Sequence, residues 1–133
     1  MKLHTHSHCV YSLTYHLVLV SKYRRKCFTD ELLEYAESIC KRTCEKWDIE
    51  LLEFGGESDH VHLLFSAYPN LDLSKFINNL KTVSSRMIRK NFPEHLKEFY
   101  HTPVLWTRAY CLLSTGGATI EIIEKYIQNQ GKK

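Results

Sequence analysis

The sequence predicts an α+β fold in which two helices pack on one face of a four-stranded antiparallel sheet. The first observation is a set of segments rich in Val, Leu, Tyr and Thr, one of which alternates between apolar and polar residues. The second is a set of longer segments with apolar residues three and four apart, as in amphipathic helices. The third is their order, β-α-β-β-α-β-α, because its first six elements follow the ferredoxin-like split βαβ pattern.

The elements follow one another with few interruptions. The predicted strands cover residues 10–20, 50–54, 59–65 and 105–115, and the predicted helices cover residues 30–47, 73–91 and 119–130. Gly55 and Gly56 predict a turn between the second and third strands, and residues 93–103 predict a loop. The third helix lies outside the ferredoxin-like unit, so it is free to cover the face of the sheet that the other two helices leave open.

The composition is typical of one globular domain spanning residues 1–133. We expect residues 1–9, in which histidines alternate with other residues, to form a flexible segment. The five cysteines include no C-x-x-C pair, which favours reduced thiols. With no signal peptide or membrane-length apolar stretch, we expect a cytoplasmic protein that does not contact membranes. The net charge of +3 permits nucleic-acid binding without requiring it.

His60 and His62 are the most informative residues of the sequence. They lie in the alternating run 59–65, and residues two apart on a strand point to the same face. Two neighbouring imidazoles can converge on one metal ion, although a pair of partly exposed surface histidines is an alternative. Asp59 and Glu57 are either further ligands, acceptors that fix the imidazole tautomers, or solvated turn charges.

Tyr126 and Gln130 are four residues apart on the last predicted helix. This spacing places the phenol beside the amide on one side of the helix. Taken alone, this spacing favours a boundary tyrosine over the edge of the core and a solvated glutamine.

Two basic segments are candidates for contacts with DNA phosphates. They are the loop after the first strand and one edge of the second helix, with the candidates Lys22, Arg24, Arg25, Lys81, Ser85, Arg86 and Arg89. An ordinary solvated face is the alternative for both. Trp106, Arg108 and Tyr110 alternate on the fourth predicted strand, where they either stack on unpaired bases or pack in the core or at its edge.

These motifs occur together in a recognisable order. His60 and His62 are followed by Ser-Thr-Gly-Gly at 114–117 and by Tyr-Ile-Gln-Asn-Gln at 126–130. The set resembles the TnpA-type transposases of the single-strand (peel-and-paste) insertion sequences, which are single-tyrosine members of the HUH nuclease superfamily. The resemblance runs over residues 10–130 and implies the HUH nuclease fold, with the nucleophile on the C-terminal helix.

The resemblance also implies a role for each matching residue. His60, His62 and Gln130 correspond to the family's metal ligands, and Tyr126 corresponds to its nucleophile. Gly116 and Gly117 correspond to a flexible hinge before the nucleophile helix. The family's partners would be single-stranded DNA with hairpin ends and a second copy of the chain, because its active sites are shared between the subunits of a homodimer.

The expected activity is cleavage and rejoining of single-stranded DNA through a 5′-phosphotyrosine. A phenol with a pKa near 10 needs activation at neutral pH, and a site of imidazole and amide ligands suits Mg²⁺ or Mn²⁺. Three alternatives remain. They are a non-catalytic ferredoxin-like nucleic-acid-binding module, a domesticated HUH nuclease that processes repeated hairpins, and a small metalloenzyme that acts on metabolites.

Overall fold

The structure is a computed structural model that describes residues 4–6, 9–11, 13–115 and 120–130. The strands are β1 (His4–His6), β2 (Cys9–Tyr11), β3 (Leu13–Val20), β4 (Glu50–Gly56), β5 (His60–Ala67) and β6 (Cys111–Ser114). The helices are α1 (Asp30–Lys46), α2 (Leu73–Asn91), α3 (Pro93–Lys97) and α4 (Ile120–Gln130). In the described residues, no helix combines the length and apolar character needed to cross a membrane.

The main sheet has the strand order β4-β5-β3-β6, and every neighbouring pair is antiparallel. The two central strands, β3 and β5, are not consecutive in the chain, because α1 and β4 lie between them. This is the order of the ferredoxin-like unit, so the predicted fold class is confirmed. β1 and β2 form a separate antiparallel pair. No strand was predicted from the sequence at residues 4–6, which form β1.

One face of the sheet forms the main core with α1 and α2. Leu17 and Leu19 of β3 are fully buried there, as are Leu63 and Phe65 of β5. The Phe65 ring meets Phe76 of α2 edge to face, with the ring centroids 5.2 Å apart. Because successive side chains on a strand point to opposite faces, the placement of these four residues fixes which residues of both central strands face away from α1 and α2.

The opposite face carries a smaller apolar cluster beneath α4. Val18 and Val20 of β3 are fully buried and pack with Ile127, while Ile123 and Tyr126 lie at the edge of the same cluster. The last helix, which the sequence leaves free to cover the second face of the sheet, thus lies over that face.

A β-bulge changes the phase of β4. Leu51 pairs with Phe65 and Glu53 pairs with Leu64, so Leu52 is an extra residue in the strand. Beyond the bulge, β4 continues through Gly56, and the predicted turn at the two glycines is wrong. Both glycines lie in the paired part of the strand, where β4 runs close to side chains of its neighbours and has no room for a Cβ atom.

Two other predicted boundaries differ from the structure. The segment predicted as a loop contains α3, which starts at Pro93, where the fixed φ of proline suits the first helical position. The predicted last strand is shorter, because only residues 111–114 form a ladder, and an isolated bridge joins Trp106 to Ser21. The predicted hinge residues Gly116 and Gly117 lie outside the described residues.

Candidate active site

His60 and His62 project from the face of β5 that α4 covers. In the ladder with β3, His60 pairs with Val20 and His62 pairs with Val18. The centroids of the two imidazole rings are 6.5 Å apart. Both rings line a cavity of about 350 Å³ between the sheet and α4. The predicted placement of the two imidazoles on one face is therefore confirmed, and their neighbours in this cavity are His16, Glu53, Glu57, Ile123, Glu124 and Ile127.

His60 is oriented by a chain of two short hydrogen bonds. Its Nδ1 lies 2.8 Å from Oδ1 of Asp59, and Nε of Arg24 donates to Oδ2 of the same carboxylate at 2.8 Å. Burial acts to raise the pKa of Asp59, but the hydrogen bonds from Arg24 and His60 outweigh it and hold that pKa below its ordinary value. An ionised Asp59 assigns the proton of His60 to Nδ1, which leaves the lone pair of Nε2 available.

Arg24 reaches Asp59 from a strained turn. Tyr23 and Arg24 have φ angles of 58° and 55°, the left-handed region that residues other than glycine rarely adopt. Each such residue costs on the order of 1–3 kcal/mol and persists only where the surroundings enforce it. Arg24 was predicted to contact DNA phosphates, and the structure instead gives its guanidinium a partner within the chain.

His62 is suited to bind a cation as a neutral ring. Burial lowers its pKa, and the neighbouring His60 and His16 act in the same direction, while Glu53 and Glu57 oppose them. A pKa below the ordinary value of about 6.5 keeps the imidazole neutral at pH 7. A neutral imidazole has a lone pair for a metal ion, whereas an imidazolium has none.

The two histidines fit a divalent cation only as part of a larger ligand set. In the described part of the chain, no three side chains of the types His, Cys, Asp or Glu form a cluster that could hold a metal ion. The Gln130 amide is a candidate third ligand of another type. Gln130 is half-buried and is not among the described residues that line the histidine cavity.

Tyr126 lies on the other flank of α4. Glu124 faces the histidine cavity, whereas Tyr126 packs beside Cys111 of β6 and Val18. Its hydroxyl is buried and has no hydrogen-bond partner among the described residues, and the nearby Thr107 hydroxyl donates to the Ala109 carbonyl at 3.0 Å. Burial raises the pKa of Tyr126 to about 12, and the nearby Cys111 acts in the same direction, while the Thr107 hydroxyl beside the phenol acts to lower it without meeting hydrogen-bond geometry. The single chain thus does not bring Tyr126 together with His60 and His62.

The two predicted basic segments meet near the start of the 105–110 segment. The Lys22 amide donates to the Leu105 carbonyl at 2.7 Å, and the charge of Lys22 adds to burial in lowering the pKa of Lys81. Lys81 Nζ donates to the carbonyls of Thr107 and Arg108 at 2.8 and 2.7 Å, which ties α2 to this segment.

Beside this junction lies a cavity of about 290 Å³ whose polar lining includes Lys81, Ser85 and Arg89. The side chain of Arg89 is held by a hydrogen bond of 3.1 Å from its Nε to Ser85 Oγ. Of the two alternatives for Trp106, the structure shows packing in the core, because the Trp106 ring is 8 % exposed and its Nε1 donates to buried Ser84.

Comparison with known proteins decides the family. Residues 9–130 match the family model described as "Transposase IS200 like". The chain belongs to the IS200-like transposase family. This family consists of transposases, which cleave DNA strands and transfer them. The suspected resemblance to TnpA-type transposases is therefore confirmed.

Individual IS200-like relatives cover almost the whole chain. The ISDra2 transposase TnpA of Deinococcus radiodurans is 34 % identical over 93 % of this chain and 88 % of its own length. The transposase for insertion sequence element IS200 of Salmonella typhimurium is 33 % identical over 93 % of this chain and 80 % of its own length.

Solved structures support the same fold. A crystal structure of a Deinococcus radiodurans protein described as a transposase superposes with a TM-score of 0.87 at 34 % identity, covering 98 % of both chains. A REP-associated tyrosine transposase bound to a REP hairpin superposes with a TM-score of 0.52 at 11 % identity, covering 92 % of this chain and 68 % of the other. At that identity the second likeness concerns the fold alone.

Sequence reasoning missed three participants of the histidine site in this IS200-like chain. Glu124 faces the histidines from α4, His16 projects from β3 beside them, and Gly55 lies under the His62 ring. Glu124 could have been found from its spacing, because it precedes Ile127 by three residues and lies on the same side of the helix. Gly55 left no signal, since its position depends on a bulge that sequence patterns do not specify.

We predict that Tyr126→Phe stabilises the docking of α4. The change removes a hydroxyl that is buried without a partner among the described residues, and such groups cost about 1–3 kcal/mol. Native-state hydrogen exchange should show slower exchange of the α4 amides. Tyr35→Phe is the matched control, because the Tyr35 hydroxyl accepts a hydrogen bond of 2.6 Å from Asn91 and its loss should not increase stability. Faster exchange of α4 in Tyr126→Phe would contradict the burial of an unpaired hydroxyl.

Proposed function

We propose that this chain is a metal-dependent transposase that binds hairpins in single-stranded DNA and cleaves and rejoins strands through a 5′-phosphotyrosine. It would act in the cytoplasm of a prokaryotic cell. The observation that carries the proposal is the pair of imidazoles on one face of the sheet, with the His60 tautomer fixed by Asp59. Membership of a transposase family supplies the class of reaction.

We propose that His60, His62 and Gln130 hold Mg²⁺ or Mn²⁺. The bound ion would polarise the scissile phosphodiester and neutralise charge that develops on it. Asp59 and Arg24 would keep the His60 ring in one orientation whether or not DNA is present. The neutral state of His62 at pH 7 favours coordination over protonation.

In the proposed reaction, the Tyr126 oxygen attacks the scissile phosphorus. A phosphorus–oxygen bond to the tyrosine forms, the bond to the 3′ oxygen breaks, and the phenolic proton passes to solvent while the leaving oxygen becomes a 3′-hydroxyl. A second 3′-hydroxyl then attacks the phosphotyrosine and restores the phenol. One phosphate ester replaces another in both steps, so no external energy source is required.

Tyr126 must leave its packed position before it reacts. With its pKa raised to about 12 and its hydroxyl buried, the docked phenol is a poor nucleophile. We propose that α4 moves about the Gly116–Gly117 segment and that it serves the histidines of a second copy of the chain. The placement of Tyr126 and Glu124 on opposite flanks of α4 supports this, because the docked helix presents a carboxylate to the histidine cavity and not the phenol.

We propose that the basic surface around α2 holds the hairpin. It comprises Lys22, Arg25, Lys81, Ser85, Arg86 and Arg89, with Arg24 close to the scissile phosphate. Charged side chains at a half-open cavity suit phosphate contacts, and such contacts make binding weaken as salt is added. The REP-associated tyrosine transposase of similar fold is described as bound to a REP hairpin, which supports the choice of a hairpin partner.

We predict that Tyr126→Phe abolishes covalent protein–DNA adducts on hairpin-bearing single-stranded DNA with Mn²⁺, because the attacking oxygen is absent. Adducts are measured on a denaturing gel, and hairpin binding is measured in parallel by fluorescence anisotropy and should be retained. Tyr35→Phe is the control and should form adducts at the wild-type level. Adducts in Tyr126→Phe would overturn the assignment of the nucleophile, and absence of adducts with the wild-type chain would favour a non-catalytic binding module.

We predict that removal of the divalent ion stops cleavage and that Asp59→Asn raises the Mn²⁺ concentration needed for half-maximal cleavage by about 10- to 100-fold. The asparagine would no longer provide the charged acceptor that fixes the His60 ring. His62→Ala should lose cleavage at every Mn²⁺ concentration tested. Unchanged cleavage in EDTA would show that the reaction needs no metal ion.

We predict that chains carrying Tyr126→Phe and chains carrying His60→Ala with His62→Ala are inactive alone and active when mixed. After subunit exchange, activity should reach roughly a quarter of wild type, because half the dimers are mixed and each has one intact site. The degree of exchange is followed by a mass tag on one variant. Complete exchange without recovered activity would place the tyrosine and the histidines of each site in the same chain.

A further inference from the structure

We propose that Gly55 is a positioning residue for His62. The absence of a side chain on this residue lets the His62 imidazole lie against the neighbouring strand, in the orientation that metal binding uses. The inference rests on the proposed metal-dependent function, and it names a residue that acts through His62 and not on the substrate.

The close approach of ring and strand is the first support. Gly55 of β4 lies directly across from His62 of β5 in the antiparallel ladder. A Cβ atom on Gly55 would lie 2.6 Å from Nε2 and 2.7 Å from Cε1 of His62, closer than non-bonded carbon and nitrogen atoms approach. The three heavy atoms nearest to that position all belong to the His62 ring. A methyl group at residue 55 would therefore displace the imidazole before it met anything else.

The bulge in β4 is the second support. With regular pairing continued from Leu51 opposite Phe65, Phe54 would lie across from His62. The extra residue Leu52 shifts the ladder by one position, so that Phe54 pairs with Leu63 on the core side and Gly55 pairs with His62. The bulge thus removes a large aromatic side chain from the position beside the histidine and puts a glycine there.

The backbone itself does not require glycine at this position. None of the glycines in the described residues has a positive φ, so Gly55 occupies extended backbone that alanine also adopts. Glycine in a strand interior weakens the strand relative to alanine, and it often marks a close approach of another group. The space for His62 is the remaining reason for glycine at residue 55.

Gly56 provides a matched contrast on the same strand. A Cβ atom there would lie 2.8 Å from Leu33 Cδ2 and 3.0 Å from the His60 carbonyl oxygen, so it would press on α1 and on the backbone of β5. Gly56→Ala should therefore lower the unfolding temperature. Gly55→Ala meets only the end of one side chain, which is free to turn, so its unfolding temperature should stay at the wild-type value.

The test measures the orientation of the His62 ring and the affinity for Mn²⁺ separately. Long-range ¹H–¹⁵N spectra of the metal-free chain report on both imidazoles, and free Mn²⁺ is titrated by electron paramagnetic resonance. In Gly55→Ala, the His62 ring signals should shift while those of His60 remain, because Asp59 holds His60 independently. The dissociation constant for Mn²⁺ should rise by about 10- to 100-fold, as for other losses of ligand orientation.

Each contrary result has a distinct meaning. An unmoved His62 ring in Gly55→Ala, a moved ring with unchanged Mn²⁺ affinity, or loss of the folded state would each overturn the role of Gly55. Absence of Mn²⁺ binding to the wild-type chain would instead overturn the proposed metal site, and the positioning role with it. The spectra of the metal-free chain distinguish these cases, since they show the ring displacement without any bound ion.

Discussion

The two-residue repeat of β5 is the constraint on which both the core and the site depend. One set of side chains, including Leu63 and Phe65, is sealed against α1 and α2, and the intervening set presents His60 and His62 to α4. A slip of one residue against β3 would bury both imidazoles and expose the apolar set. The burial of that apolar set, worth about 1.5–3 kcal/mol for each large side chain, therefore also fixes the position of the histidines.

The His60 and His62 imidazoles both project from β5, but different interactions hold the two rings in place. His60 depends on charge, since an ionised Asp59 lies between its ring and Arg24. Loss of Arg24 would leave a nearly buried carboxylate with one partner fewer, which costs more than an exposed ion pair contributes. Among the described residues His62 has no hydrogen bond of this kind, and its ring is limited by the shape of β4 at Gly55. Two independent restraints make the distance between the rings a property of the folded chain before any ligand arrives.

Sequence patterns predicted what depends on periodicity and missed what depends on pairing. Alternation in residues 59–65 was enough to place the histidines on the face of the sheet that points away from the main core. Helical spacing was enough to predict the first and the last residue of α2. The bulge at Leu52 was not predictable, because it arises from how β4 fits β5 and leaves no periodic signal. The turn at Tyr23 and Arg24 was hidden for another reason, since left-handed turns are recognised by glycine or asparagine and neither is present.

The docking of α4 is weak enough for a ligand to reverse. Its described apolar contact with the sheet centres on Ile127, with Ile123 and Tyr126 at the edge. Burial of one or two isoleucines contributes about 1.5–3 kcal/mol each, and the unpaired Tyr126 hydroxyl opposes docking by about 1–3 kcal/mol. A difference of a few kcal/mol leaves the released helix as a minor state, and a ligand that prefers that state by about 5.5 kcal/mol would invert a 99:1 ratio. DNA shifts this balance only through contacts that the released helix permits and the docked helix blocks, such as those of a strand entering the histidine cavity that α4 covers. The burial that makes Tyr126 unreactive is therefore compatible with its proposed use as a nucleophile once DNA is bound.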